Sequence, residues 1–173
     1  FKEAFQKGMR SLEIWVSGFG ADPKFNLEAM DQQDLENGLR KPNSKRYFQV
    51  FEALRRGMSI EKIYEISFID PWFLHNFKQI VAMEARIRER GFNGLDHDFL
   101  REVKQLGYSD RQLAYLTGTS EEDVWELREK LAVQPVYKLV DTCAAEFEAY
   151  TPYYYSTYEK EDEARETTGR KVM

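Results

Sequence analysis

The chain has 173 residues, of which 42% are hydrophobic and 32% charged, with a formal net charge of −5. That apolar share supports one domain with its own core and excludes wholesale disorder. The acidic balance, with a pI near 5.3, argues against a general nucleic-acid or anionic-membrane binder, because either would need a basic face; a local basic patch stays open.

The dominant period along the chain is helical. Phe1, Phe5, Met9, Leu12 and Val16 recur every three or four residues and share one helix face, until Gly18, Gly20 and Pro23 break the pattern. Asp31 can cap a short helix bearing Leu35 and Leu39 that stops before Pro42, and Asn43 or Ser44 can cap the next, with Tyr47, Phe48, Phe51 and Leu54 inward and Gly57 at its end. Ser59 opens a helix carrying Ile63 and Ile66. Asp70-Pro71 is a strong start signal, since the aspartate caps and the proline lacks only an N–H that a first turn would leave unused. The helix it starts should carry Phe73, Phe77, Ile80, Met83 and Ile87 inward, reach about Arg90 and close on Gly91. Asp96 begins a helix with Leu100, Val103 and Leu106, closed by Gly107, and Ser109 begins one with Leu113 and Leu116. Ser120-Glu121-Glu122-Asp123 resembles a capping box ahead of Val124, Leu127 and Leu131, with Asp where Glu or Gln is usual.

No alternating strand pattern occurs before Ala132, and Pro135 to Val140 is the one candidate extended piece. The expected class is all-α: an irregular array of short capped helices, two of them helix-turn-helix-like hairpins, followed by an extended aromatic segment. The stretch from Gly57-Met58-Ser59 to Phe77 matches that from Gly107-Tyr108-Ser109 to Leu127 in register. Duplication and two hairpins built by the same capping rules explain this equally well.

Candidate chemistry is sparse. In a DNA-reading helix-turn-helix the second helix would present donors, but here one copy starts Ser120-Glu121-Glu122-Asp123 and the other Asp70-Pro71-Trp72-Phe73, so both disfavour phosphate. His97 lies between Asp96 and Asp98, yet helix neighbours point apart, so a cap with solvated charges is expected rather than a metal site. His75 reads as a partly buried structural residue. Cys143 is the sole cysteine, so it has no internal disulfide partner and points to a reducing, cytoplasmic setting. With acidic or small neighbours it reads as a buried apolar residue, not a nucleophile. Asp141, Glu146 and Glu148 read as surface or ion-pair carboxylates. No phosphate-cradling loop, nucleophile motif or metal-spaced cluster stands out, nor any membrane-length apolar run or signal peptide. The chain starts without Met and reads as a segment of something longer.

Tyr150-Thr151-Pro152-Tyr153-Tyr154-Tyr155-Ser156-Thr157-Tyr158 is the most unusual stretch. Rings at this density can stack nucleic-acid bases, but only with lysines and arginines among them, which are missing; a packed interface fits better. Glu159 to Thr168 is charged and polar and reads as a linker or exposed helix.

The run Pro135-Val136-Tyr137-Lys138-Leu139-Val140-Asp141-Thr142-Cys143-Ala144-Ala145-Glu146-Phe147-Glu148-Ala149, then Thr151-Pro152-Tyr153-Tyr154-Tyr155-Ser156-Thr157-Tyr158, closely resembles the large chain of carbamoyl-phosphate synthases. Glu52-Ala53-Leu54-Arg55-Arg56-Gly57 and Asp70-Pro71-Trp72-Phe73-Leu74 look like the helical oligomerisation domain of that family. Phe1-Lys2-Glu3-Ala4 through Arg10-Ser11-Leu12-Glu13 looks like the last helix of a preceding ATP-grasp half, and Arg170-Lys171-Val172-Met173 like the first strand of a following one. The likeness is weakest over Ser17 to Lys41.

The resemblance implies three parts: residues 1–16 from the preceding half, 17–158 as oligomerisation or connection domain, and 159–173 as linker and start of the second half. It implies an ATP-dependent parent that makes carbamoyl phosphate from bicarbonate and ammonia, with a glutaminase small chain as partner, for arginine and pyrimidine synthesis. ATP and magnesium or manganese would sit in the flanking halves, so no catalytic, cofactor or metal residue carries over here. The segment itself is expected to be inactive and to make homo-oligomer contacts, without nucleic acid or membrane. Tyr137, Phe147, Tyr153, Tyr154, Tyr155 and Tyr158 are the expected interface residues. A stand-alone helical adaptor is the alternative.

Overall fold

The computed structural model describes residues 1–144, 146–147 and 153–164. Among these, eight α-helices precede two strands: α1 Lys2–Arg10, α2 Gln32–Arg40, α3 Arg46–Arg55, α4 Ile60–Ser67, α5 Pro71–Arg90, α6 His97–Gln105, α7 Asp110–Thr117, α8 Glu121–Lys130, β1 Val136–Val140 and β2 Tyr153–Thr157. The strands form an antiparallel ladder running from Val136 opposite Thr157 to Val140 opposite Tyr153. The all-α class is thus corrected to mostly helical with a small sheet. The extended piece at Pro135 and an extended aromatic segment were both expected; their pairing into a sheet was not, because three successive tyrosines break the alternation that signals a strand. The expected strand at Arg170 to Met173 lies outside the described residues.

Capping aspartates and serines set the helix starts. Side chains of Asp31, Ser59, Asp70, Asp96, Ser109 and Ser120 each accept a hydrogen bond from a backbone N–H of the first turn. At Ser120 the box is complete, with Asp123 accepting from the Ser120 N–H at 3.0 Å. Helix α3 differs: it starts after Lys45 with no side-chain cap, and Asn43 instead accepts from the Lys45 N–H at 2.9 Å, forming a turn ahead of it.

Helix α5 is the hub. Its 20 residues span roughly 30 Å, and it packs against α1, α3, α4 and α7. Leu74, Phe77, Ile80, Met83 and Ile87 form its buried stripe. Leu74, fully buried, replaces the expected Phe73, which is 41% exposed and lies one position round the helix. Tyr47 and Leu12 also face outward, Leu12 because α1 ends at Arg10 rather than continuing to Val16.

The two similar halves of the sequence take the same form. In each, a helix (α3, α6) ends at a left-handed glycine, with φ of 80° at Gly57 and 90° at Gly107; a serine-capped helix follows (α4, α7) and then a second capped helix (α5, α8). The turn bonds coincide, Met58 N–H to Ala53 O at 2.9 Å and Tyr108 N–H to Val103 O at 3.4 Å. So does burial, Ile63 with Leu113 and Leu74 with Val124, all four fully buried.

The segment between α1 and α2 is irregular yet buried at Val16, Ser17, Phe19, Ala21 and Asp22. Its polar backbone therefore needs internal partners. Gln6 Oε1 accepts the Phe19 N–H at 2.6 Å, Asp22 accepts the N–H groups of Ser17 and Lys24, and the Ser109 hydroxyl donates to Ser17 O at 3.0 Å. Gln112 Nε2 donates to Gln6 Oε1 at 3.3 Å, tying α7 to α1. At Gly107, an added Cβ would lie 2.8 Å from the Glu3 Cα, so only glycine lets this turn meet α1.

Ser59→Ala should cost about 1 kcal/mol as a lost cap. Ser109→Ala should cost about 2 kcal/mol, since it also strips a buried carbonyl of its donor. Urea denaturation of both variants checks this, and equal losses would contradict it.

Candidate interaction surfaces

The reactive groups flagged in the sequence do not converge. His75 is exposed, not partly buried, because it faces away from the α5 stripe. Asp96 caps α6 through the Phe99 N–H at 2.9 Å and also pairs with Arg90. His97 and Asp98, expected to point apart, meet at 2.8 Å; neither is packed, so both bend over the open first turn. Cys143 is half-buried rather than core, as it lies in a surface turn where Asp141 accepts its N–H at 3.1 Å. Glu146 is exposed, while Glu148 falls outside the described residues. Among the described residues, no three His, Cys, Asp or Glu side chains assemble as a metal site, and no helix is long and apolar enough to cross a membrane.

Buried charge serves to pin elements together. Asp110 at the start of α7 accepts from Lys104 of α6 at 2.8 Å and from Arg128 of α8 at 2.8–3.0 Å, with each side chain at most 14% exposed. Burial opposes ionisation of Asp110, but the two cations outweigh it and hold its carboxyl below the usual range. Burial also lowers the pKa of the Lys104 ammonium, with Arg128 and Arg10 adding to the effect and Asp110 opposing it. Glu52, also buried, is gripped by Arg55 of its own helix and by Arg56 just past its end.

The strand pair is fastened to this body at one end. Lys7 of α1 donates to Ser156 O, Thr157 Oγ1 donates to Glu3 at 2.9 Å, Gln105 donates to Tyr158 O at 3.0 Å, and Arg101 to Glu159 O at 2.6 Å. Tyr158 is half-buried against the core, with the Lys104 ammonium 5.2 Å from its ring centre, and burial raises the pKa of its phenol. Beyond it, the described residues 159–164 form no helix and are tied back to β1. Glu163 N–H donates to Tyr137 O at 2.8 Å, its carboxylate takes the Leu139 N–H, and it pairs with the buried Lys138 at 3.0 Å. This return along the open side of β1 blunts a sheet edge. Residues 165–168 of the expected linker lie outside the described residues.

Of the expected interface residues, Tyr153 is 60% exposed, Tyr155 48% and Phe147 75%, whereas Tyr137 and Tyr154 are half-buried. Alternation along β2 puts Tyr153 and Tyr155 on one open face and Tyr154, opposite Leu139, on the other. Tyr150 falls outside the described residues.

A second aromatic surface escaped sequence reading. The rings of Phe1, Phe5, Trp72, Phe73 and Phe77 meet at 4.7–5.9 Å, with Tyr47 against Phe5. Helical periodicity assigned most of these rings to the core; in fact Phe1, Tyr47, Trp72 and Phe73 are 41–55% exposed. Nearby, Phe68 ends α4 at φ 55° and is 81% exposed, at the position where Gly118 ends α7. A left-handed phenylalanine in open solvent is a local cost that packing within the domain does not explain.

Capped helices around a long central one, with a small sheet, exposed rings and no converging reactive groups among the described residues, define a mostly helical domain. The chain belongs to the family described as the oligomerisation domain of the carbamoyl-phosphate synthetase large chain, which it matches over residues 1–132. It is 48% identical over its full length to a carbamoyl phosphate synthase large chain of Nostoc sp. and 47% identical to an arginine-specific, chloroplastic one of Oryza sativa. The N-terminal section of such a large chain from Methanopyrus kandleri is 47% identical over 95% of this chain. The chain spans 16% of the Nostoc protein, 15% of the Oryza protein and 31% of the Methanopyrus section.

Two outcomes are expected. Asp110→Asn should destabilise the fold by about 3 kcal/mol, leaving two buried cations without their partner. The native pair contributes fully above the unfolded carboxyl value of about 3.9, and its contribution fades as pH falls through the lower folded value, so the variant should lose less stability on acidification. Phe68→Gly should raise stability by about 0.5–1 kcal/mol by relieving the left-handed strain. Thermal or chemical melts across pH check both.

Proposed function

We propose that this chain is the domain that joins and spaces two ATP-grasp halves of a large chain making carbamoyl phosphate from bicarbonate and ammonia. The observation that carries the reading is full-length identity of 48% to a large chain of which this segment is 16%. ATP and magnesium or manganese act in the flanking halves, and a glutaminase small chain supplies the ammonia. Arginine-specific relatives favour a role in arginine synthesis, with pyrimidine synthesis as the second outlet. In this reading α1, within residues 1–16, is the last helix of the preceding half, seated on the connector through Gln6 and Met9, both buried. Residues 17–158 form the connector, and residues 159–173 lead to the second half.

The aromatic strand pair is the contact face. Tyr153, Tyr155 and Phe147 have the exposed area for a neighbour, while Tyr137, Tyr154 and Tyr158 support them from beneath. Large rings at low conformational cost suit this use. Lys104, Asp110 and Arg128 fit the connector role too, because a spacer between moving catalytic halves must not itself bend.

Sedimentation equilibrium over a wide concentration range tests the assembly role. A reversible dimer or larger species is expected; a monomer at every concentration would leave the domain as connector and spacer alone. Alanine at Tyr153 or Tyr155 should speed proteolysis between the domains of the full large chain with little change in melting. Tyr154→Ala should also loosen interdomain packing more than the helical core, and equal loss in both measurements would count against this face.

A further inference from the structure

A cavity of about 40 Å³ lies between the loop that follows α1 and the helices α3 and α5. It has room for a little water and none for a metabolite. Carboxylates from Asp22, Glu28, Glu52 and Glu84 line it, against the guanidiniums of Arg55 and Arg88. Asp22 is spent on the N–H groups of Ser17 and Lys24, Glu52 on Arg55 and Arg56, and Glu28 reaches outward to Arg55 at 2.7 Å. Glu84 differs from all three. It is 5% exposed, both contacts from Arg88 fall on Oε1 at 3.1 and 3.3 Å, and Oε2 is buried without a hydrogen bond. Tyr108, close enough for the Glu84 charge to act on its phenol, gives its hydroxyl to Ile80 O at 2.6 Å instead. An ionised oxygen buried without a partner is costly, and it is relieved either by water or by a proton. Among the described residues no three His, Cys, Asp or Glu side chains assemble to hold a metal there.

We propose that Glu84 works as a proton-operated latch: with its carboxyl protonated, the strap formed by residues 20–30 closes over the cavity, and with it ionised the strap lifts and water reaches Oε2. The strap is held from the solvent side. Arg56 donates to the carbonyls of Leu27 and Met30, both at 2.9 Å, and Arg55 pairs with Glu28, whose side chain is 60% exposed. Such exposed contacts let a loop open while α3 and α5 stay packed. Burial pushes the Glu84 carboxyl above the usual range, against the pull of Arg88, Arg55 and the Ala21 N–H. Across the cavity burial opposes ionisation of Glu52 too, but hydrogen bonds from Arg55 and Arg56 outweigh it and hold that carboxyl low. Tyr115 of α7 completes the wall, with the Arg88 guanidinium 5.7 Å from its ring centre. Because the closed state raises the Glu84 value, its advantage is complete below the solvated carboxyl value of about 4.3 and is lost as pH rises through the closed-state value.

Hydrogen–deuterium exchange with mass spectrometry on the full-length large chain tests this, comparing wild type and Glu84→Gln between about pH 5.5 and 8.5. Comparison at one pH cancels the intrinsic pH dependence of exchange, and the amide is a neutral isostere of the protonated carboxyl. At the alkaline end, peptides covering residues 20–30 should exchange several-fold more slowly in the variant, and the gap should narrow steadily toward the acid end. Peptides covering α8 should show no gap. Equal strap exchange at every pH, a gap that does not change with pH, or faster exchange in the variant at the alkaline end would overturn the proposal, the last by showing that the charge on Glu84 holds the strap down. Wild type alone decides the question if the variant does not fold: strap exchange relative to α8 should rise several-fold across the same range, and a constant ratio would overturn the latch. His75 and His97, whose ordinary value falls in that range, do not line the cavity.

Discussion

A loop that runs through a protein interior must find internal partners for its backbone, and this requirement organises the amino-terminal third of the structure. The turn around Gly18 and Phe19 lies between α1 and α7, closed in on both sides. Gln6, fully buried, answers it by accepting the Phe19 N–H, and the equally buried Gln112 holds Gln6 in place by donating to its Oε1. Ser109 serves twice, as cap of α7 and as donor to Ser17 O. These bonds join segments about a hundred residues apart in sequence, so they couple α1, the loop and α7. The close approach at Gly107 depends on the same arrangement, since its turn rests on α1 at Glu3 and at Gln6 itself.

Much of the fold was legible because helix starts obey local rules. A capping side chain and its N–H lie within three residues of each other, so Asp31, Ser59, Asp70, Asp96, Ser109 and Ser120 declare themselves in one dimension. Which side of a helix faces the core does not. Tyr47 and Phe73 fall on the apolar stripe by period, yet both rim a groove, because only tertiary packing decides where the core stops. The α3 start was missed by a residue or two since Asn43 spends its side chain on the preceding turn. The small sheet was half legible: Val136–Val140 reads as extended, but its partnership with Tyr153–Thr157 spans a connection whose length no local rule sets.

The site residues divide in the same way. Tyrosine density drew attention to β2, and alternation in the strand then sorted Tyr153 and Tyr155 from Tyr154. Nothing in the sequence marked Phe68, because its oddity is a backbone angle; comparison of the two repeated units brings it out, with Gly118 in the matching place. The repeat is therefore most informative where it fails. Where the units agree, residues serve the fold; where a bulky exposed ring replaces glycine, a local cost has been retained against the interest of the isolated domain.

The fastening of the strands to α1 has a mechanical consequence. Lys7 and Glu3 hold the β2 end within a single turn of helix, so two segments far apart in sequence share one anchor. A pull on the strands meets α1 first, and α6 through Gln105 and Arg101, before it reaches the stripe along α5. Force arriving through α1 reaches the strands by the same short route. The domain body can thus remain stiff while a strap across one side carries displacement from one end of the polypeptide path to the other, much as a bracket passes load between two arms bolted to the same plate.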